Sequence, residues 1–170
     1  LTIGDTTAAV PIIQGGMGVG IPLAGLASAV ANEGAIGVIA AAGIGMNEPD
    51  FFTNFLEANI RALRREIRKA RSLTDGILGL NVMMANTNHG DLFRTAFEEG
   101  IDIIFSGAGL PLNLPEYRTP GSRTKMAPIV SSARAAMLIE KKENIGTITL
   151  NRPAKLNALS ALAFQEVIAA

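Results

Sequence analysis

The sequence predicts an α/β fold built on a parallel sheet, and three observations carry that expectation. Its candidate strands are apolar throughout, without the alternation of a half-exposed sheet; strand-like and helix-like segments follow one another in strict order; and glycines and polar residues gather just past the C-terminal end of each strand. Strands that are apolar on both sides are buried on both faces, and a repeated β-then-α order makes the connections parallel crossovers. An α/β barrel and an open doubly wound sheet both meet these conditions, and both build their sites at the strands' C-terminal ends.

Residues 9–13 (AVPII) form a short, apolar first strand that runs into Gly15, Gly16, Gly18 and Gly20, a tight loop. Pro22 suits the first turn of a helix, and Leu23, Leu26, Ala27 and Val30 recur at helical spacing until Gly34 stops it. Residues 35–40 (AIGVIA) give the second strand. The loop AAGIGMNEPD then leads to a long helix whose expected apolar stripe is Phe52, Phe55, Leu56, Ile60, Leu63 and Ile67. Residues 77–83 are the third strand, 86–90 a loop, and Leu92, Ala96 and Phe97 mark a short helix ending at Gly100. Residues 101–105 are the fourth strand. After a polar excursion through 111–125, residues 127–131 (APIVS) give a fifth, with a helix starting near Ser132.

The pattern changes near Met137. The stretch MLIEKKENIGTITLNRP reads as two strands joined at Glu143 and Asn144, in the alternating pattern of an antiparallel hairpin, and Leu159, Leu162, Glu166 and Val167 suggest a final helix. The expected organisation is one module over 1–137 and a second over 138–170.

Composition narrows the function. The chain has 170 residues, 48% hydrophobic and 18% charged, with 15 acids against 15 bases, which suits a folded domain and not a disordered one. No concentrated positive field is available for nucleic acid or an anionic membrane, so the expected ligand is a small molecule. The lack of cysteine excludes disulfides, zinc-thiolate sites and a cysteine nucleophile, and suits a cytoplasmic setting. No metal site is expected. The longest apolar run, 34–46, is too short and glycine-rich to span a bilayer. No signal peptide is read at the start.

The strongest local feature is PIIQGGMGVGIP. Glycines just past a strand permit close backbone approach to a flat or anionic ligand, or merely turn the chain. A dinucleotide-binding reading fails: the spacing G-x-G-x-x-G is absent, and the second strand ends in Ala40, Ala41 and Ala42, not in an acid that holds a ribose. Asn81 interrupts an otherwise apolar strand, and a buried amide costs about 1–3 kcal/mol unless paired, so it needs a partner. Gln14, at the end of the first strand, either meets a ligand's polar edge or is a polar residue of the barrel floor. Ser131 and Gly107 end strands five and four, where a turn or cap role competes with ligand contact. His89 is the only histidine and reads as a solvated loop residue. Arg61, Arg64, Arg65, Arg68 and Arg71 read as a solvated outer helix face.

Five motifs in order, PIIQGGMGVGI, AAAGIGMNEPDF, GLNVMMANTN, IDIIFSGAGLP and PIVSSARAA, resemble the nitronate monooxygenases (2-nitropropane dioxygenases) over about residues 1–138. The resemblance implies a (β/α)8 TIM barrel that binds FMN and oxidises alkyl nitronates with oxygen to a carbonyl compound and nitrite. Carried over by residue, it implies cofactor contacts at Gly16 and Met17 against the flavin ring, at Asn81, and with them at Gln14 and Ser131. No catalytic residue is assigned, since family members that use a histidine base carry it after the sixth strand. Flavin-dependent enoyl-acyl-carrier-protein reductases share the barrel and similar early motifs, and stand as an alternative.

The stretch IEKKENIGTITLNRPAKLNALS is similar to the opening of the crotonase (enoyl-CoA hydratase) superfamily, notably Asn151, Arg152, Pro153, Leu156, Asn157, Ala158 and Leu159. Together the two resemblances imply an incomplete TIM barrel of about five β/α units followed by a crotonase-like hairpin and helix. A whole barrel takes about 250 residues, so the strands and loops that hold the flavin phosphate are expected to be missing; either two chains pair their open barrel edges in a homo-oligomer, or the crotonase-like tail covers one edge, or the isolated chain is poorly folded. The competing expectation is a catalytically silent fusion fragment; a crotonase-type enzyme ranks behind both.

Overall fold

The computed structural model describes residues 1–130 and the backbone of residues 148–149. Two short strands, β1 (Thr2–Ile3) and β2 (Thr6–Thr7), pair antiparallel as a small N-terminal hairpin. The main sheet runs in the order β3 (Gly37–Ala40), β4 (Leu78–Met83), β5 (Ile103–Gly107), β6 (Lys125–Val130) and β7 (Ile148–Thr149), every pair parallel. Between its strands lie α1 (Ala24–Asn32), α2 (Phe55–Leu73) and α3 (His89–Glu98), with a 3-10 turn at Leu114–Tyr117.

The two faces of this sheet differ in kind. Leu78, Leu80, Val82, Ile39, Ile104 and Met126 pack in one cluster with apolar residues of all three helices. Ile36, Val38, Ile103, Phe105 and Ala127 form a separate cluster on the opposite face, joined by Ile3 and Ala8 from the N-terminal hairpin. A doubly wound sheet carries helices on both faces, whereas a barrel keeps them all outside. Among the described residues the helices lie on one face only, the arrangement of a barrel wall and not of a doubly wound sheet, and the sheet there is open. The hairpin β1–β2 sits at its N-terminal end, where Asp5 pairs with Lys125 at the start of β6.

The first expected strand is reduced to one bridge, Ile13 with Ile36, although its backbone follows β3 through Val10 N–H to Gly34, Ile36 N–H to Ile12 and Gln14 N–H to Ile36. The Ile12 N–H, which an unbroken parallel ladder would give to β3, turns back to the Val10 carbonyl instead, so the segment does not pair fully. Where α1 crosses β3, a side chain on Gly37 would lie 1.8 Å from the Ala27 carbonyl oxygen, so only glycine lets the helix come this close.

The stripe of α2 also differs from expectation. Phe52 lies in a turn before the helix and is 95% exposed, and Phe55 and Leu56 are exposed as well. The buried face is made by Leu63 and Ile67 together with Ala58, Ala62 and Ala70, whose small side chains let the helix lie close to its neighbours, with Asn59 and Glu66 among them. Both polar side chains have partners: Asn59 accepts from Gly45 N–H and donates to the Phe55 carbonyl, and Glu66 accepts from Ala24 N–H.

Ile148–Thr149 pairs parallel with β6, and the other arm of the expected hairpin lies outside the described residues. The rest of the crotonase-like stretch, the helix expected from Ser132 and the module boundary at Met137 lie outside the described residues.

Candidate functional site

A hollow of about 280 Å³ opens at the C-terminal end of the sheet, on the face away from the helices. Parallel sheets of this class build their sites there. Its floor is Val38, Phe105 and Met83, its far wall Gly107, Ala108 and Ile129, and its near edge the loop from Ile13 to Met17. Asn81 stands in the middle. Alternation along β4 explains why: Leu78, Leu80 and Val82 point to the helices, so Asn81 and Met83 point the other way.

Asn81 meets Gly16 here. Its Nδ2 donates to the Gly16 carbonyl at 2.8 Å and lies 3.3 Å from the Met17 sulfur. Among the described residues its Oδ1 takes no hydrogen bond, and the N–H groups of Gly15, Gly16 and Met17 donate to no protein acceptor. Within the described residues the near edge therefore presents unpaired donors beside an unpaired acceptor. A side chain on Gly16 would lie 2.5 Å from Val38 Cγ1 and 2.8 Å from Asn81 Cβ, so the loop comes this close to the strands only as glycine.

Gln14 does something the sequence did not resolve. Its Oε1 accepts from Val38 N–H at 3.1 Å, and its Nε2 donates to the carbonyls of Val38 and Gly15 at 3.1 and 3.0 Å. Both donors of the amide are thus in use within the protein. Met17 is 66% exposed at the mouth of the hollow, and Ile129 is 50% exposed across from it. Ser131 lies outside the described residues.

The residues that sequence reasoning missed are Met83, Phe105, Ala108 and Ile129. Phe105 and Ile129 show no signal beyond an apolar strand; only the parallel register sets Phe105 beside Asn81 and brings Ile129, one residue past the partner of Ser106, to the same end of the sheet. Ala108 carries a hint in its neighbours. It is the one non-glycine residue with positive φ among those described, at 54°, and it sits between Gly107 and Gly109. Such a conformation costs of order 1–3 kcal/mol and collects at functional sites.

His89 is not a solvated loop residue. It opens α3, its Nδ1 lies 2.8 Å from the Asn86 carbonyl, and its ring meets Phe93 and Tyr117 edge-on, on the helix side of the sheet and away from the hollow. The arginines of α2 do lie on a solvated outer face, and there they are paired. Arg61 and Arg65 reach Glu48, Arg61 also reaches Asp50, Arg64 and Arg68 share Glu99, and Arg71 meets Asp102. These acids lie outside α2 in the sequence, so helical spacing alone missed them. Hydrogen bonds from Arg68 and then Arg64 hold the Glu99 carboxyl below its usual range, and Arg65 does the same for Glu48.

A larger hollow, about 490 Å³, lies at the opposite end of the sheet beside Asp5, Asp102, Arg123 and Lys125. Its charges are largely paired within the protein: Lys125 with Asp5, and Asp102 with Arg71 and the Leu78 N–H. Groups at that end of a barrel serve stability, so the smaller hollow is the candidate site. Among the described residues, no helix is long and apolar enough to cross a membrane.

Residues 2–102 match the family model for nitronate monooxygenase. The structure of FabK from Thermotoga maritima is similar at 30% identity and a TM-score of 0.60, covering 79% of this chain and 38% of that one. Nitroalkane oxidase from Streptomyces ansochromogenes is 17% identical with a TM-score of 0.61, covering 79% of this chain and 44% of that one, which shows a shared fold. The chain thus spans about two fifths of the length of these structures. No curated protein matches the sequence. With its family model matched over more than half its length, the chain belongs to the nitronate monooxygenase family.

Proposed function

We propose that this chain holds the ring of FMN in the hollow between Gly16, Asn81 and Ile129, as part of an oxidoreductase that converts alkyl nitronates and oxygen to a carbonyl compound and nitrite. Family membership supports a flavin, and the lining fits one: apolar side chains on the flat faces and free backbone donors along one edge. Whole ligands take pockets of roughly 300–1,000 Å³, so a hollow of about 280 Å³ suits the ring and not the phosphate tail. The observation that carries the reading is the meeting of Asn81 and Gly16 at the sheet's C-terminal end.

Bound flavin supplies two-electron chemistry, taking electrons from a substrate and delivering them to an acceptor. The chain's own residues orient and shield. Asn81 fixes the Gly16 carbonyl and leaves the N–H groups of Gly15, Gly16 and Met17 available for the ring's polar edge. The exposed Met17 thioether is placed to cover an apolar ring face and exclude water.

One observation favours a second reading. Among the described residues, none of the twelve that line the hollow carries a charge, although a nitronate is an anion, so an uncharged substrate such as the enoyl thioester of a flavin-dependent reductase fits as well. Titrating the purified chain with FMN, read by quenching of flavin fluorescence, tests the site. Saturable quenching weakened by Asn81→Ala supports it; no quenching overturns it. Nitrite release from an alkyl nitronate, against reduction of an enoyl thioester, then separates the two chemistries.

A further inference from the structure

We infer that Gln14 is a positioning residue: its side-chain amide replaces a length of backbone in the parallel ladder and so releases the glycine loop toward the hollow. The inference rests on the flavin reading for its functional half.

The ladder beside β3 begins in the ordinary way. Ile36 N–H donates to Ile12, and Gln14 N–H donates to Ile36. Continued in a parallel register, the next bonds would run from Val38 N–H to the backbone carbonyl of Gln14 and from the Gly16 N–H to the Val38 carbonyl. Neither forms. Val38 N–H instead meets Gln14 Oε1, and the Val38 carbonyl meets Gln14 Nε2, each at 3.1 Å. A primary amide offers one acceptor and a donor in the same plane, as a peptide group does. Both polar groups of buried Val38 are satisfied, so the sheet loses nothing, while the backbone of Gly15 and Gly16 leaves the ladder.

The consequence reaches the site directly. Had the ladder continued, the Gly16 N–H would be consumed by Val38. With Gln14 in its place, that N–H has no acceptor among the described residues, and the Gly16 carbonyl turns to Asn81 Nδ2. The third bond of the amide, from Nε2 to the Gly15 carbonyl at 3.0 Å, ties the clamp to the loop it releases. Residue type is demanding here. Asparagine is one methylene shorter, methionine matches the length without either polar group, and glutamate keeps the acceptor but sets an oxygen against the Val38 carbonyl unless it takes up a proton.

Hydrogen exchange at the Val38 amide, with FMN affinity measured on the same full chain, tests this. In Gln14→Met the Val38 amide is expected to exchange at least tenfold faster and FMN to bind at least tenfold more weakly. In Gln14→Glu the affinity should recover as pH falls through the ordinary glutamate value of about 4.3, while the original chain shows no such trend. This variant keeps the test usable if Gln14→Met fails to fold. Weakened FMN binding with an unchanged Val38 amide overturns the inference, because Gln14 would then touch the flavin itself. Faster exchange with unchanged affinity overturns it too. Failure of the original chain to bind FMN overturns the underlying reading, and is told apart by being independent of residue 14.

Discussion

Asn81 and Gly16 stand 65 positions apart in the chain and meet through one hydrogen bond, 2.8 Å from Nδ2 to the carbonyl oxygen. The bond joins β4 to the loop after the first strand, across β3, and fixes that loop where the hollow opens. An amide–carbonyl bond of this kind contributes about 1 kcal/mol net. Asn81→Ala is therefore expected to lower stability by about that much while weakening FMN binding roughly tenfold or more, each 1.4 kcal/mol being about tenfold. Asn81→Asp keeps the shape but sets a carboxylate against the Gly16 carbonyl, and should bind no better than the alanine variant. Chemical denaturation and flavin titration read the two effects separately.

Gly16 is tested by the reverse change. An added methyl would meet Val38 and Asn81 from a buried position, and neither lies at the end of a flexible side chain, since the contacts are to Val38 Cγ1 and Asn81 Cβ. Overpacking of this kind costs about 1–3 kcal/mol. Gly16→Ala should lower the unfolding midpoint and weaken FMN binding. Gly15→Ala, where nothing lies within 4 Å of the added atom, should leave the fold intact.

Much of this was legible from sequence because each signal was local. The strands β3 to β6 follow apolar runs, and Asn81 stood out as an amide in one of them. What was not legible depended on long-range register or on acids far away in sequence. Nothing in PIIQGG says that the glutamine turns back on Val38, since that needs β3 alongside. Phe52 shows the opposite error. It falls at helical spacing from Phe55 and Leu56 but precedes the helix, so periodicity assigned a core role to a residue that is 95% exposed. Phe52→Ser should accordingly change stability by no more than about 0.5 kcal/mol, and a drop of 2 kcal/mol or more (about a typical buried side chain) in a denaturant melt would restore it to the core.

Acid should weaken this fold partly through Glu99. Arg68 and Arg64 hold its carboxyl below the ordinary value, so the folded state binds its proton less readily than the unfolded chain does. The sign follows: the contribution is complete above the unfolded value of about 4.3 and is lost as pH falls through the lower, folded one. Glu99→Gln should flatten the fall in stability between pH 5 and pH 3, values chosen to bracket roughly that unfolded figure. It should also reduce the sensitivity of the unfolding midpoint to salt, because Arg68 and much of Arg64 lie in solvent.

Glu66 closes the helix that follows the glycine loop. The residue before α1, Leu23, offers no side-chain cap, and the buried carboxylate of Glu66, reaching from α2, accepts the Ala24 N–H at 3.1 Å instead. A negative group at that end also suits the helix dipole. Loss of a cap costs about 0.5–2 kcal/mol, and an orphaned buried donor adds to it. Glu66→Ala should thus cost about 1–2 kcal/mol, with amide exchange quickened across Ala24–Ser28, whereas Glu66→Gln retains an acceptor and should lose less. Because α1 carries the exit of the loop that holds Gly16 and Met17, Glu66→Ala is expected to weaken FMN binding as well. Unchanged stability in Glu66→Ala would mean that water, and not the carboxylate, satisfies the start of α1.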